Sequence, residues 1–175
     1  MDVGAVDATV DRLAYAGFLA AERDGVRGRV VRPASAREYI DRLESCARDG
    51  AGLTIGIGRA MENAVDAAAV AQPGRRFAIV GVDVRSLLHR PPNVVGLLFK
   101  DQEAGYLVGY AAGLWTRLQH GKAVGSVAAI SDPPVDSYLA GFQFGATAAD
   151  PGVKTLNDFT DDPFDRSACR KKALR

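Results

Sequence analysis

The chain has 175 residues, of which 47% are hydrophobic and 25% are charged, and its formal net charge is +1. This length permits one good hydrophobic core or two small lobes. A net charge this close to zero provides no field to attract nucleic acid or an anionic membrane, so we expect no nucleic-acid partner.

The first part of the chain alternates helical patterns with short apolar runs. Apolar residues at helical spacing predict helices over 8–21, 35–50 and 59–71. The second of these opens with an S-x-x-E capping box, formed by Ser35 and Glu38. Short apolar runs predict strands over 28–32, 53–57 and 77–82.

A strand and a helix with two distinct faces are predicted next. The run 93–99 is apolar and β-branched, which is typical of a buried strand. Gly105, Gly109 and Gly113 form one ridge of the following helix. Glycine costs a helix interior about 1 kcal/mol relative to alanine, so three in register predict a face that another backbone approaches. A second face carries an apolar stripe of Ala104, Leu107, Val108, Ala111, Leu114, Trp115 and Leu118.

We expect this helix to be buried against a sheet. A GxxxG ridge also occurs where helices dimerise in membranes. The uncharged run from Ala104 to Thr116 is far shorter than the roughly 20 residues that a membrane span needs. Packing inside a folded protein is therefore the favoured interpretation.

The same alternation continues past residue 121. We predict strands over 123–130 and 153–159, a helix over 135–149 and a final helix from Pro163 onward. Strands that alternate with helices, several of them uniformly apolar, indicate parallel sheets covered on both faces. The predicted fold class is therefore α/β.

The sequence contains no motif that proposes a catalytic site. A Gly-Ile-Gly turn ending at Gly58 opens a helix as a dinucleotide fingerprint does, but Met61 takes the place of the third glycine, which favours a plain tight turn. Four aspartates between 158 and 165 lack calcium-loop spacing and are expected to cap and charge the last helix. We predict no cofactor and no enzymatic activity.

Metal ligands and cross-links are not indicated either. Cys46 and Cys169 lie far apart without CxxC spacing, and His89 and His120 are isolated, so we expect neither a zinc site nor a disulfide framework. An N-terminal apolar stretch of signal-peptide length is lacking, so the chain as written is expected to stay in the cytoplasm.

Three segments carry a family resemblance beyond these patterns. They are NVVGLLFKDQEAGYLVGYAAGL at 93–114, AVAQPGRRFAIV at 69–80 and YLAGFQFGA at 138–146. Together they resemble the basic membrane lipoprotein family, the PnrA-like purine nucleoside receptors. The resemblance implies a solute-binding protein of an ABC importer, lipid-anchored outside the cytoplasm, with a transporter permease as partner. It also implies the type 1 periplasmic-binding-protein fold, in which two Rossmann-like lobes enclose a nucleoside cleft.

Family members are considerably longer, and the resemblance places the ends of this chain within their fold. It implies that residues 1–120 form an N-terminal α/β lobe without its first strand and that 121–175 begin an incomplete second lobe. In the flavodoxin-like order 2-1-3-4-5, that first strand lies between 28–32 and 53–57. We therefore predict that both of these strands expose unpaired backbone groups.

The resemblance implies ligand contacts in three loops. The family's first loop resembles D-x-G-x-x-D-D-x-S-F-N, and Asp2 and Asp7 match two of its acidic positions. Helix capping by Asp7 explains the same residue equally well. Gly58 matches the glycine of a Gly-Phe pair that follows a strand, and Asp83 is the substitute for an aspartate that closes the next strand. The implied ligand-binding residues are Asp2, Asp7, Gly58 and Asp83.

Two functions from different classes fit the sequence. The first is a solute-binding protein fragment with a nucleoside-class ligand and impaired binding, because Asp11 and Arg12 replace the Phe that stacks on the base and the Asn that hydrogen-bonds it. The second is an intracellular ligand-sensing or protein-interaction domain on the same fold, which the lack of a signal peptide favours.

Overall fold

A computed structural model describes residues 8–162 and 165–174 of the chain, without the side chains of 8–11. These residues form two compact units that divide between Phe99 and Lys100. We describe each unit by itself.

The first unit contains three helices and a three-stranded parallel sheet. Its helices are α1 (Ala8–Arg23), α2 (Tyr39–Arg48) and α3 (Glu62–Ala71). Its strands are β1 (Thr54–Ile57), β2 (Phe77–Val80) and β3 (Val94–Leu97), which pair in the order β1-β2-β3. Three 3-10 turns precede α2, α3 and β3 at Ala36–Glu38, Arg59–Met61 and Val84–Ser86. Three of the four strands predicted for this sheet are thus confirmed, in parallel register.

The core of the first unit lies between one face of this sheet and helices α2 and α3. Phe77 and Ile79 of β2 are almost fully buried there against Val65 of α3. Side chains alternate between the faces of a sheet, and on the opposite face Ile55 and Val95 are exposed. The prediction of sheets covered on both faces is therefore confirmed for one face only.

The predicted strand at 28–32 is wrong. The segment has no strand structure, Val30 and Val31 are exposed, and Arg29 turns its side chain to Asp49 at the end of α2, at 2.5 Å. A strand exists only where a neighbour satisfies its backbone groups. Among the described residues, no strand lies beside 28–32 to pair with it. Strand β1 lies at the edge of the sheet, as predicted.

The capping box also differs from expectation. Ser35 stands at the N-terminus of the first 3-10 turn, but its hydroxyl makes no capping hydrogen bond. Glu38 instead pairs with Arg42, one turn along α2, at 3.0 Å.

The second unit contains helices on a two-stranded parallel sheet. Its elements are α4 (Asp101–Leu118), β4 (Ala123–Ala128), α5 (Pro133–Ala149), β5 (Lys154–Phe159) and α6 (Arg166–Ala173). Strand β4 pairs in parallel with β5, from Ala123 beside Lys154 to Ala128 beside Phe159. Both strands predicted for this part of the chain are confirmed.

Helices α4 and α5 pack backbone to backbone through glycine. Gly105, Gly109 and Gly113 are buried, and a Cβ atom added at Gly109 would overlap the carbonyl oxygen of Phe142 on α5. Gly145 of α5 approaches α4 equally closely. The prediction of a close backbone at the glycine ridge is confirmed, but that backbone belongs to a helix and not to a sheet.

The apolar stripe of α4 lies on the solvent side, contrary to the prediction of burial. Leu107, Trp115 and Leu118 are 69%, 66% and 70% exposed. The glycine ridge is on the other side of the helix and takes the packing contact with α5. These contacts place α4 in the second unit, which begins at Lys100, and the lobe boundary expected at 120–121 stays a prediction.

Candidate functional site

Two of the four predicted ligand-binding residues, Asp2 and Asp7, lie outside the described residues. The same holds for the side chain of Asp11, which stands at the aromatic position of the family loop. Their proposed contacts with a ligand stay predictions.

The other two, Gly58 and Asp83, lie at one edge of the first sheet. Gly58 follows β1 directly, and its N–H donates to the carbonyl oxygen of Val80 at the end of β2, at 3.1 Å. Its φ of +85° lies in the left-handed region that favours glycine. Asp83 comes shortly after β2, beyond Gly81, which has a φ of +81°. Both residues therefore stand at the carboxyl edge of the sheet, where open α/β folds bind ligands.

The carboxylate of Asp83 is fully engaged with Arg85. It accepts the backbone N–H of Arg85 at 2.9 Å and the guanidinium Nε and Nη2 at 2.9 and 2.5 Å. The hydrogen bonds and positive charge of Arg85 lower the pKa of Asp83 to about 2. Asp83 is thus an ionised acceptor whose oxygens already have a partner within the loop.

Three further polar side chains lie at this edge. Arg59 stands where the resemblance places the Phe of the Gly-Phe pair, whereas Glu62 and Ser86 were not singled out from the sequence. The Ser86 hydroxyl donates to the Glu62 carboxylate at 2.6 Å, and the Arg59 guanidinium lies 3.8 Å from the same carboxylate. These contacts join the loop after β1 to the loop after β2. Their position in the sequence could have indicated them, since each lies a few residues beyond a predicted strand.

A second candidate site lies at the carboxyl ends of β4 and β5 in the second unit. It is a cavity of about 440 Å³, within the range of roughly 300–1,000 Å³ that small-ligand pockets span. Backbone and side chains from both strand ends and from α6 line it, namely Val127, Ala128, Ala129, Thr160, Asp162, Asp165, Arg166, Cys169 and Arg170.

The polar groups of this cavity are held by local hydrogen bonds. The Thr160 hydroxyl contacts the carbonyl oxygens of Ala129 at 3.2 Å and Asp162 at 2.8 Å. Asp165 caps α6 by accepting the N–H of Ala168 at 2.8 Å, as predicted for the acidic cluster. Apolar strand ends with a few fixed polar groups are suited to binding a small molecule. Among residues 8–162 and 165–174, no group of three potential metal ligands comes together.

Comparison with protein families assigns the chain over nearly its whole length. A family model described as ABC transporter substrate-binding protein PnrA-like matches residues 5–175. The CD4+ T-cell-stimulating antigen of Listeria monocytogenes is 34% identical over 132 residues, which cover 72% of this chain and 34% of that protein. Basic membrane protein A of Borreliella burgdorferi is 28% identical over 146 residues, which cover 83% of this chain and 42% of that protein.

Solved structures agree on the fold. A solute-binding protein of an ABC transporter system from Aeropyrum pernix has a TM-score of 0.67 at 24% identity, over 93% of this chain and 45% of its own. A second one, from Conexibacter woesei, has a TM-score of 0.63 at 25% identity, over 92% and 54%. The structure of a transcriptional activator of the comK gene from Bacillus halodurans shares the fold at 20% identity, with a TM-score of 0.56.

The chain spans about a third to a half of the length of these proteins. None of the helices among the described residues is both long and apolar enough to cross a membrane. The parallel sheets, with candidate ligand sites at their carboxyl edges, are consistent with the family match over 5–175. The chain belongs to the family of PnrA-like ABC transporter substrate-binding proteins.

Proposed function

We propose that this chain is part of an extracytoplasmic receptor that delivers a purine-nucleoside-class ligand to an ABC transporter permease. The observation that carries the proposal is that the two sheets present polar candidate sites at their carboxyl edges, at Gly58 and Asp83 in the first unit and at the 440 Å³ cavity in the second. A lipid anchor fits the proposal, since one relative is named as lipoprotein PH1714 of Pyrococcus horikoshii.

We further propose that nucleoside binding by this 175-residue chain is impaired. The family resemblance places an aromatic base platform at Asp11 and a hydrogen-bonding amide at Arg12. Loss of one base-stacking contact costs about 1–3 kcal/mol, and an unmatched buried polar group costs a similar amount. A nanomolar site corresponds to roughly 12 kcal/mol, so two such losses, about 2–6 kcal/mol together, weaken binding by roughly 1.5 to 4 orders of magnitude before any further loss at Asp83.

The engagement of Asp83 adds to this impairment. A ribose hydroxyl that donates to this carboxylate competes with the guanidinium of Arg85, which now holds both carboxylate oxygens. The Arg85 contact combines two hydrogen bonds with an ion pair, whereas a neutral ribose hydroxyl offers one hydrogen bond to the same carboxylate. The ligand therefore has to displace a stronger local partner before it binds Asp83.

Isothermal titration calorimetry with inosine, guanosine and adenosine tests the proposal directly. We expect no isotherm, or a millimolar one, for the chain as it stands. A micromolar isotherm for any of the three nucleosides contradicts the impairment.

Restoration of the family residues tests the ligand class. The double variant Asp11→Phe/Arg12→Asn is expected to tighten nucleoside binding at least tenfold, because it returns the stacking ring and the amide. Leu53→Phe is the matched control, since it adds an aromatic ring at a residue that is 50% exposed and precedes β1, at the end opposite the carboxyl edge. Equal affinities of the control and the double variant for nucleosides would overturn the assignment of the ligand class.

A further inference from the structure

The Asp83–Arg85 pair presents a guanidinium, and not a carboxylate, to a ligand that approaches the carboxyl edge of the first sheet. The Arg85 side chain is 84% exposed, whereas that of Asp83 is 31% exposed. Asp83 contacts Nε and Nη2 of Arg85, which form one edge of the planar guanidinium. Arginine has five N–H donors, and none of the residues that the structure describes accepts from Nη1. The outer edge of the guanidinium is therefore open to an acceptor from a ligand.

The backbone around Arg85 is held by three neighbouring side chains. Asp83 accepts the backbone N–H of Arg85 at 2.9 Å and so caps the 3-10 turn that follows β2. The Ser86 hydroxyl contacts the Glu62 carboxylate at 2.6 Å and the Asp83 carbonyl oxygen at 2.8 Å. The Nε of Arg90 donates to the carbonyl oxygen of Arg85 at 3.0 Å. A donor that is fixed before binding loses less conformational entropy when its ligand binds.

The charges of this loop favour an anion. Within 83–90, two guanidiniums, of Arg85 and Arg90, stand against the single carboxylate of Asp83. The Glu62 carboxylate, which lies beside the loop, has the Arg59 guanidinium 3.8 Å away. A ligand with negative charge therefore meets an excess of positive charge at the loop itself.

We propose that the outer edge of the Arg85 guanidinium binds an oxyanion of the ligand, which makes the ligand a phosphorylated purine nucleoside. This inference rests on the proposed function, which supplies the purine nucleoside at this edge. Two N–H groups of one guanidinium edge match two phosphate oxygens. Phosphate can thus bind Nη1 and Nη2 while Asp83 keeps Nε. A ribose hydroxyl on Asp83 has to displace Arg85, whereas a phosphate group does not.

Isothermal titration calorimetry of the 175-residue chain with adenosine 5′-monophosphate and with adenosine, in a phosphate-free buffer of low ionic strength, tests the proposal. We expect the monophosphate to bind at least tenfold more tightly than adenosine. Arg85→Ala should abolish this difference, because it weakens the binding of the monophosphate but not that of adenosine. Arg76→Ala is the matched control, since it removes an exposed guanidinium that precedes β2, at the opposite end of the strand.

Three results of this titration would overturn the proposal. They are the lack of an isotherm for the monophosphate, equal affinities of the parent chain for the two compounds, and an Arg85→Ala variant that is as selective as the parent and the control.

Phosphorus-31 NMR of the parent chain tests the contact without any substitution. The second pKa of a phosphate monoester is about 6. A guanidinium in contact with the phosphate stabilises its dianion, so we expect the pKa of the bound phosphate to fall below that of the free compound. An unchanged or raised phosphate pKa in the complex would contradict the contact.

Ribose 5-phosphate separates this inference from the proposed function, because it carries the phosphate without the purine. We expect it to bind at least threefold more weakly than adenosine 5′-monophosphate and to lose affinity in the Arg85→Ala variant as well. Equal affinities for the two phosphates, both lowered by Arg85→Ala, would support the Arg85 contact but remove the purine from the proposed function. Binding of adenosine as tight as that of its monophosphate would overturn the contact and leave the purine class in place.

Discussion

The carboxylate of Asp66 is buried and holds His89 by two hydrogen bonds. The backbone N–H of His89 donates to one carboxylate oxygen at 3.2 Å, and the imidazole Nδ1 lies 2.6 Å from the other. Asp66 belongs to α3 and is 4% exposed, whereas His89 lies in the loop that leads to β3. The pair therefore ties this loop to the helix that covers the sheet.

Removal of this carboxylate should destabilise the chain. Asp66→Ala leaves the backbone N–H of His89 without its acceptor and opens a small cavity at a buried position, so we expect a loss of about 2–3 kcal/mol in the free energy of unfolding. Urea denaturation measures the change. Asp41→Ala, at an exposed position of α2, is the control and should change the free energy by less than about 0.5 kcal/mol. Equal effects of the two variants would contradict the role of the pair.

The close contact between α4 and α5 predicts that the same glycine-to-alanine change has different effects on stability at two positions. In an isolated helix, alanine is more stable than glycine by about 1 kcal/mol. At Gly109 the added Cβ overlaps the carbonyl oxygen of Phe142, so we expect Gly109→Ala to destabilise the fold by about 2–3 kcal/mol despite this preference. Gly17→Ala in α1 is the control, because nothing lies within 4 Å of its Cβ position, and it should be neutral or slightly stabilising.

Thermal denaturation of both variants measures the difference. A Gly109→Ala protein as stable as the parent would mean that α4 and α5 pack further apart than described. A destabilising Gly17→Ala would mean that α1 has a neighbour at this position.

These elements show what a single sequence can establish. The spacing of Gly105, Gly109 and Gly113 predicted a close backbone, because a costly residue repeated on one face needs a packing reason. The same reasoning failed for the apolar stripe of α4, since burial depends on a neighbour that no local pattern identifies. The segment 28–32 failed for a related reason. Its residues favour a strand, but pairing with a distant strand decides whether one forms.

The candidate site divides in the same way. The carboxyl edge was predictable at Gly58, because the turn after a strand there needs a positive φ. The ion pair between Asp83 and Arg85 was not predictable, since a pair between residues two apart requires the bent backbone of the 3-10 turn. The cavity in the second unit could not be predicted from the sequence, because its lining residues come from the ends of β4 and β5 and from α6, which lie far apart in sequence.

The side-chain amide of Asn93 donates to backbone carbonyl groups at and beyond the end of α3, and we expect this contact to stabilise the fold. Its Nδ2 lies 3.1 Å from the carbonyl oxygens of Ala69 and Gln72, and 2.9 Å from that of Arg75. Asn93→Asp keeps the shape but points a carboxylate at three carbonyl oxygens, so it should cost more stability than Asn93→Ala. We expect at least 1 kcal/mol between the two variants in urea denaturation at pH 7. Protonation allows the new carboxyl group to donate, so the gap should narrow on acidification. A gap that stays constant with pH would contradict this account.

The last prediction concerns the pKa of Asp83. Arg85 lowers this pKa from 3.8 to about 2 in the folded chain. Because the folded value lies below the unfolded one, the contribution of the pair to stability is fully present above pH 4 and is lost as the pH falls toward 2. Arg85→Ala should return the pKa of Asp83 toward 3.8, which carbon-13 NMR of the side-chain carboxyl measures. Arg90→Ala, which removes a nearby guanidinium that donates to the Arg85 carbonyl oxygen instead, is the control and should leave the pKa low. The same Arg85→Ala variant removes the guanidinium from both Asp83 oxygens, while the backbone N–H of residue 85 still donates to Oδ1. Under the proposed function it should therefore also strengthen nucleoside binding. A return of the pKa toward 3.8 without any gain in binding would remove Asp83 from the ligand site.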